Sequence, residues 1–352
     1  MAWFTRRGLG GCWWGGGAAA VASLVVILTP RVGVANESTV FTTPPGMAPA
    51  VRFWVDAFTR YGRNDVAIVD RVEPGVVYEV VRDVAPGDAR LVRERLAAVA
   101  DLLTAAAVRR PDAHLLFGVQ PANVEALGRL RIQRGLRETF AQGVAAERLF
   151  RPAVHRALAD AGLPLDLAAL PLVESAYHPG RTSEAGASGL WQLTPEVAEK
   201  YLDVGGKSDQ RRDPFRASLA AARYLRDLYD QFESWPLAIT AYNHGPTGIE
   251  RARQTAGTDD LGEIVRRYDG PGFGFASRSY YAEFLAARQV LGHVPVYFPE
   301  LTRARMVSYR VKRGDTLERV AKRHGVSIPS LRVTNGIRSA MIRPGQVLLI
   351  RL

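Results

Sequence analysis

At 352 residues, 47% hydrophobic and 23% charged, the chain has a globular composition with room for two or more domains, which excludes a disordered or fibrous polypeptide. Its single cysteine, Cys12, lies in a leader-like segment, so a disulfide scaffold and a thiol nucleophile in the mature chain are excluded as well. The net charge of +11 is unevenly placed: residues 1–35 hold three arginines and no acid, residues 307–352 hold ten Lys and Arg against two acids, and 36–306 are near neutral.

In chain order, Arg6 and Arg7 precede an apolar stretch at 12–29, and Gly33 and Ala35 offer small-residue spacing for a cut before Asn36. Residues 1–35 therefore read as an export signal. The alternative is a retained inner-membrane anchor, weakened by three consecutive glycines in a segment of about 20 residues. "LGGC" precedes the apolar run where a lipidation site would follow it. Residues 36–50, rich in Pro, Thr and Gly, read as a linker. Residues 51–69 are expected as helix and turn, 75–81 ("GVVYEVV") as one short strand, and 90–107 and 123–150 as helices by apolar spacing. This leading region, 51–150, carries no chemical motif and is expected to be a helical accessory region.

"GLPLDLAALPLVESAY" follows, with Pro164 and Asp166 at a helix start and Leu167, Leu170, Leu172 and Val173 around the approach to Glu174. A carboxyl held among apolar groups has its charged form disfavoured and can carry a proton at neutral pH, as a general acid must. "HPGRTSEAGASGLWQLTP" then breaks regularity with Pro179, Gly180, Gly186 and Gly189, which suits a loop over a groove. A glycosidase normally pairs two carboxyls. The nearby acids Glu184, Glu196 and Asp213 read more simply as solvated or capping residues, so no partner for Glu174 stands out. On these physical grounds alone a catalytic acid and a structural helix-end glutamate are equally open.

The residues of 174–195 resemble the first motif of the lytic transglycosylases of goose-type lysozyme-like fold. Glu174, Ser175, Ser183, Gly186, Ala187, Gly189, Leu190 and Gln192 fall in register. A second block, "WPLAITAYNHGPTGI" (235–249), carries Ala241, Tyr242 and Asn243, and a third, "SRSYYAEFLAA" (277–287), resembles the closing tyrosine helix. Ala276 and Ser277 stand where many members have Glu-Thr, and Tyr281 beside Tyr280 leaves open which is the groove tyrosine. The resemblance implies one catalytic carboxyl, Glu174, that cleaves the bond between N-acetylmuramic acid and N-acetylglucosamine and leaves a 1,6-anhydro end. Ser183, Gln192, Tyr242, Asn243 and Tyr280 would bind substrate. Each also has a plainer reading: aromatics as core walls, Asn243 as a turn residue.

Residues 309–350 resemble a LysM module, with Gly314, Asp315, Thr316, Leu317, Asn335, Gly336, Pro344, Gly345 and Gln346 in register. The resemblance implies binding of N-acetylglucosamine chains, with Asp315, Thr316, Leu317, Ile337 and Arg338 as sugar contacts. Asp315 and Thr316 also suit a helix cap.

The expectation is a mainly α (α+β lysozyme-like) catalytic domain at 151–300 and a βααβ LysM module at 307–351. The family type it resembles is the membrane-bound D type. The chain is expected to be a periplasmic or envelope monomer acting on peptidoglycan glycan strands, attached to the membrane if the leader is retained. No cofactor, metal or nucleic-acid partner is expected: the histidines lack metal-ligand spacing and the basic tail lacks interleaved aromatics. A water-using muramidase on the same fold and a non-catalytic peptidoglycan-binding scaffold are the rival readings.

Overall fold

The structure, a computed structural model, describes residues 40–109, 126–204, 209–301, 306–335, 337 and 341–352; the expected leader and Arg338 lie outside them. Helix α1 (Ala48–Thr59) carries Pro49 in its first turn, which the fixed φ of proline suits, and buries Phe53, Trp54, Ala57 and Phe58 on one face. The chain then departs from the expected helix and turn. It enters β1 (Val66–Asp70), all five residues buried, the middle strand of an antiparallel sheet with β2 (Val77–Val81) and β3 (Leu130–Arg134). The leading region is thus helical with a sheet inserted. A four-residue apolar run is too short for periodicity to separate strand from helix, and a strand covered on both faces shows no alternation. Asp70, 1% exposed, ends β1 by accepting hydrogen bonds from Val72 N (2.7 Å), Glu73 N (2.9 Å) and the Tyr78 hydroxyl (2.9 Å), and it pairs with Arg129 at 3.0 Å.

Helices α2 (Ala89–Arg109) and α3 (Ala126–Arg129) flank this sheet. Between β3 and helix α4 (Arg137–Asp160) stands Gly135, where a Cβ would meet Gly62 O at 2.2 Å, so only glycine lets the chain pass that close. Helix α4 runs unbroken through 150, where the accessory region was expected to end. Its Phe140 stacks on Phe58 at 4.2 Å, so the leading region and the following helices share one core.

Beyond a 3₁₀ turn (Leu165–Ala169) come α5 (Leu170–Ser175), α6 (Pro195–Ala198), α7 (Pro214–Phe232), α8 (Trp235–His244), α9 (Pro246–Ala256), α10 (Leu261–Arg267), α11 (Phe275–Gly292) and α12 (Val294–Tyr297). Helix α11 is the central one, buried on nearly every side and packed by α1, α5 and α8. Among the described residues no helix is long and apolar enough to cross a membrane.

The C-terminal module is βααβ, as its sequence pattern predicts: β4 (Met306–Arg310), α13 (Leu317–His324), α14 (Ile328–Asn335) and β5 (Val347–Arg351), with β4 and β5 antiparallel. Leu317, Val320, Leu331, Leu348 and Ile350 form its own core. Asn335 fastens α14 to β5: its Oδ1 accepts from Leu349 N and its Nδ2 donates to Leu349 O, each at 2.7 Å.

Candidate active site

Glu174 sits in the last turn of α5, which the chain leaves sharply: Ala176 and Tyr177 both have positive φ (51° and 56°). Tyr177 is fully buried and its hydroxyl donates to Ala168 O at 2.6 Å, which holds this unfavourable backbone in place. Ser175 ties the helix end to the following loop by donating to Leu190 O at 2.7 Å. The loop closes on itself at Gly189, with φ of 84° and room for no Cβ against Arg211 O. Gln192 braces the same loop, its Nε2 donating to Gly189 O (2.8 Å) and Arg181 O (3.2 Å).

A cavity of about 250 Å³ opens beside Glu174, walled by Trp54, Phe140, Leu172 and Phe275, with Arg131, Asn243, Tyr280 and Glu283 supplying polar groups. Glu174 is 7% exposed. Burial raises its pKa above the ordinary carboxyl value, and the hydrogen bond donated by the Tyr280 hydroxyl to its Oε1 opposes part of that rise. Tyr280, not its neighbour, reaches the acid; the Tyr281 hydroxyl donates to Thr42 O at 3.0 Å on another side of α11. The structure therefore brings Glu174, Asn243 and Tyr280 to one cavity. Asn243 Nδ2 is buried there with no hydrogen-bond partner.

Ser183, Gln192 and Tyr242 do not line that cavity. The Ser183 Oγ accepts from Ala187 N at 3.1 Å, and the Tyr242 hydroxyl donates to Trp191 O at 2.7 Å. Tyr242 is nonetheless close enough that burial and then the charge of Glu174 raise its pKa well above the ordinary value. Glu184 and Glu196 are exposed, and Asp213 caps α7 by accepting from Phe215 N (3.0 Å) and Arg216 N (2.9 Å).

The carboxyl that sequence reading passes over is Glu283, one helical turn beyond Tyr280 on α11 and 8% exposed. Burial, and secondly the charge of Glu174, push its pKa up to about 8. The signal for it was the i, i+3 spacing from Tyr280, which puts both residues on one face of a helix. Arg131 on β3 also escaped notice, because that strand lies in a region with no chemical motif.

In the C-terminal module Asp315 accepts from the Tyr309 hydroxyl (2.6 Å) and Lys312 N (2.7 Å) and pairs with Arg323 at 3.3 Å. The Thr316 Oγ1 caps α13 at Arg319 N (3.2 Å), Leu317 is buried in the module core, and Ile337 packs against it. These four residues have internal roles, and the fifth, Arg338, lies outside the described residues. Among the described residues no His, Cys, Asp and Glu cluster could hold a metal.

Replacing Tyr280 by Phe removes a hydrogen bond that favours the charged form of Glu174, so the acid's pKa rises further. A pH–rate profile of Tyr280→Phe is expected to show its alkaline limb displaced upward, with the plateau rate down about tenfold because the carboxyl has lost its orienting contact.

Residues 155–264 match the family described as Transglycosylase SLT domain, and residues 309–351 match the LysM domain. The chain is 29% identical over 188 residues to the membrane-bound lytic murein transglycosylase D of Escherichia coli K12, covering 51% of this chain and 41% of that one. It is 37% identical over 92 residues to a putative tributyltin chloride resistance protein of Alteromonas sp. M-1, covering 26% of this chain and 44% of that one. A solved structure, the soluble lytic transglycosylase of Escherichia coli, aligns at 24% identity with a TM-score of 0.34 over 43% of this chain and 25% of that one. The chain spans less than half the length of the curated relatives it matches.

Proposed function

From a chain that carries a transglycosylase SLT domain followed by a LysM domain, we propose a peptidoglycan lytic transglycosylase that cuts between N-acetylmuramic acid and N-acetylglucosamine without water. The observation that carries this reading is Glu174: a carboxyl inside the SLT match, buried with raised pKa and oriented by Tyr280 at a cavity. Protonated, Glu174 gives its proton to the glycosidic oxygen as the C1–O bond breaks. As carboxylate it takes the proton from the muramic acid C6 hydroxyl, whose oxygen closes onto C1 to give the 1,6-anhydro end. One carboxyl serves as acid and then as base, and its protonation state is restored by the second step.

Asn243, with its amide unpartnered in the cavity, is the residue best placed to hydrogen-bond a sugar. Gln192, Ser183 and Tyr242 act through the loop they brace or the wall they form. The LysM module at 307–351 would hold the same glycan and raise its local concentration at the catalytic domain at 151–300. The leader would export the protein to the periplasm or envelope, where it works as a monomer.

The test is digestion of purified murein sacculi followed by mass spectrometry of the released muropeptides. Anhydro ends, lighter by one water than hydrolytic ones, are expected. Ordinary reducing ends would make the protein a muramidase, and binding without release would make it a scaffold.

A further inference from the structure

The cavity at Glu174 has a wall that the SLT match, 155–264, does not include. Arg63 reaches it from the turn between α1 and β1, and Arg131 and Arg134 reach it from β3. Arg181, in the loop that follows Glu174, is the fourth guanidinium in the lining. Gly135 brings Arg134 up to the turn that carries Arg63. It lets the end of β3 press against Tyr61 O and Gly62 O, and its N–H donates to Asp65 O at 3.0 Å.

Four cations thus line the cavity with two carboxyls, Glu174 and Glu283, and in both carboxyls burial disfavours the charged form. The partners of the cations leave the excess of positive charge in place. Arg134 is exposed, with no acid at salt-bridge distance among the described residues. Arg63 is exposed too, and its only acid is Glu138 at 4.0 Å. Arg181 donates from Nη1 to a neutral acceptor, Ser175 O, at 3.1 Å. Arg131 lies over the Phe275 ring at 4.5 Å; burial and then the charge of Arg71 lower its pKa, and Glu283 opposes them. Two further donors of lining residues, Trp54 Nε1 on α1 and Asn243 Nδ2 on α8, are buried without an acceptor. A wall rich in N–H groups and positive charge suits an anionic, acceptor-rich ligand.

A glycan of alternating N-acetylated sugars has no charge along its backbone. Its anionic chemistry hangs from the lactyl ether of muramic acid, as the bare lactyl carboxylate or as carboxylates of a peptide attached there. We propose that the leading region completes the substrate site: Arg63, Arg131, Arg134 and Arg181 bind a carboxylate carried on the lactyl substituent of the muramic acid, and so select charged strands over neutral ones. The proposal rests on the reading of the chain as a lytic transglycosylase and of this cavity as its site.

The experiment uses soluble glycan strands in three forms: peptide-bearing, freed of peptide so that the lactyl carboxylate is bare, and peptide-bearing with the carboxylates amidated. The kcat/KM for release of anhydro ends is measured on each with wild type, Arg134→Gln, Arg63→Gln and Arg134→Lys, at low and high salt. Wild type should prefer a charged form over the amidated one by about tenfold, and Arg134→Gln should lose about fivefold of that preference through KM. Arg134→Lys should keep part of it, and salt should weaken it in wild type. Preference for the peptide-bearing form would assign the peptide carboxylates, and preference for the bare form the lactyl one; either upholds the wall. Equal values on all three forms in wild type, or a preference that survives in both glutamine variants, would overturn it. Arg63 and Arg134 are exposed, so their replacement should leave the fold intact. Calorimetric binding of the same strands in a Glu174→Gln background needs no turnover. Selective, Arg134-dependent binding in a protein that releases nothing would uphold the wall while the proposed function failed; product release without selectivity would do the reverse.

Discussion

Glu174→Gln is expected to lower the release of anhydromuropeptides by at least about 10³-fold, because in the proposed mechanism one group supplies both proton transfers and glutamine supplies neither. The variant should fold, and at alkaline pH it should be more stable than wild type. Glu174 has a pKa raised above that of the unfolded chain, so its contribution to stability is full at low pH and is lost as pH rises through the folded value. Glu283 behaves in the same way, with the loss spread from the ordinary carboxyl range to about pH 8. Thermal unfolding at pH 5 and pH 8.5 checks this: the melting temperature of Glu174→Gln should exceed wild type at the higher pH and approach it at the lower. A variant that loses activity together with its melting temperature at both values would show that Glu174 serves packing instead.

Trp191→Ala is expected to cost about 3–5 kcal/mol and to abolish activity through the loop it anchors. The indole is fully buried, its Nε1 donates to the Ser218 hydroxyl on α7 at 2.9 Å, and its carbonyl receives the Tyr242 hydroxyl. Alanine leaves a large void, a Ser218 hydroxyl that keeps only its bond to Pro214 O, and a loop free to move away from Glu174. Calorimetry should show the loss as a lower melting temperature. Trp191→Phe, which keeps most of the volume but not the hydrogen bond, should recover most of the stability. If both variants melted like wild type, the loop would not depend on the indole.

The acid and its loop were legible because their information is local. Glu174 ends an apolar run, and Gly189 stands where only glycine fits, so the sequence around them already bears the mark of the geometry. The choice between Tyr280 and Tyr281 was not legible. Adjacent residues on a helix differ by about 100° in direction, and only the packing of α11 turns one toward Glu174 and the other toward Thr42. Glu283 was missed for a related reason: within "YYAEFLAAR" a glutamate reads as the solvated side of a helix, and nothing local says that α11 has no solvated side. Strand β1 was missed because four apolar residues carry no period. In the C-terminal module the pattern gave the elements correctly, yet Asp315, Thr316 and Leu317 have capping and packing roles that make their motif conspicuous without any sugar.

The seam between Phe41–Thr42 and α11 has a consequence for how the molecule comes into being. Tyr281 donates to Thr42 O across 239 residues of chain, and Arg288 to Phe41 O across 247. At a synthesis rate of about 5–20 residues per second, the first partner of each pair waits roughly 10–50 s for the second to be made. Glu174 likewise precedes Tyr280 by 106 residues. A nascent or truncated chain that stops short of α11 therefore lacks Tyr280, which aims the acid, and Phe275, which walls its cavity, although Trp54, Phe140 and Leu172 have already been made. The acid is fully enclosed only once α11 has been made after it, so the order of translation itself delays the assembly of the site.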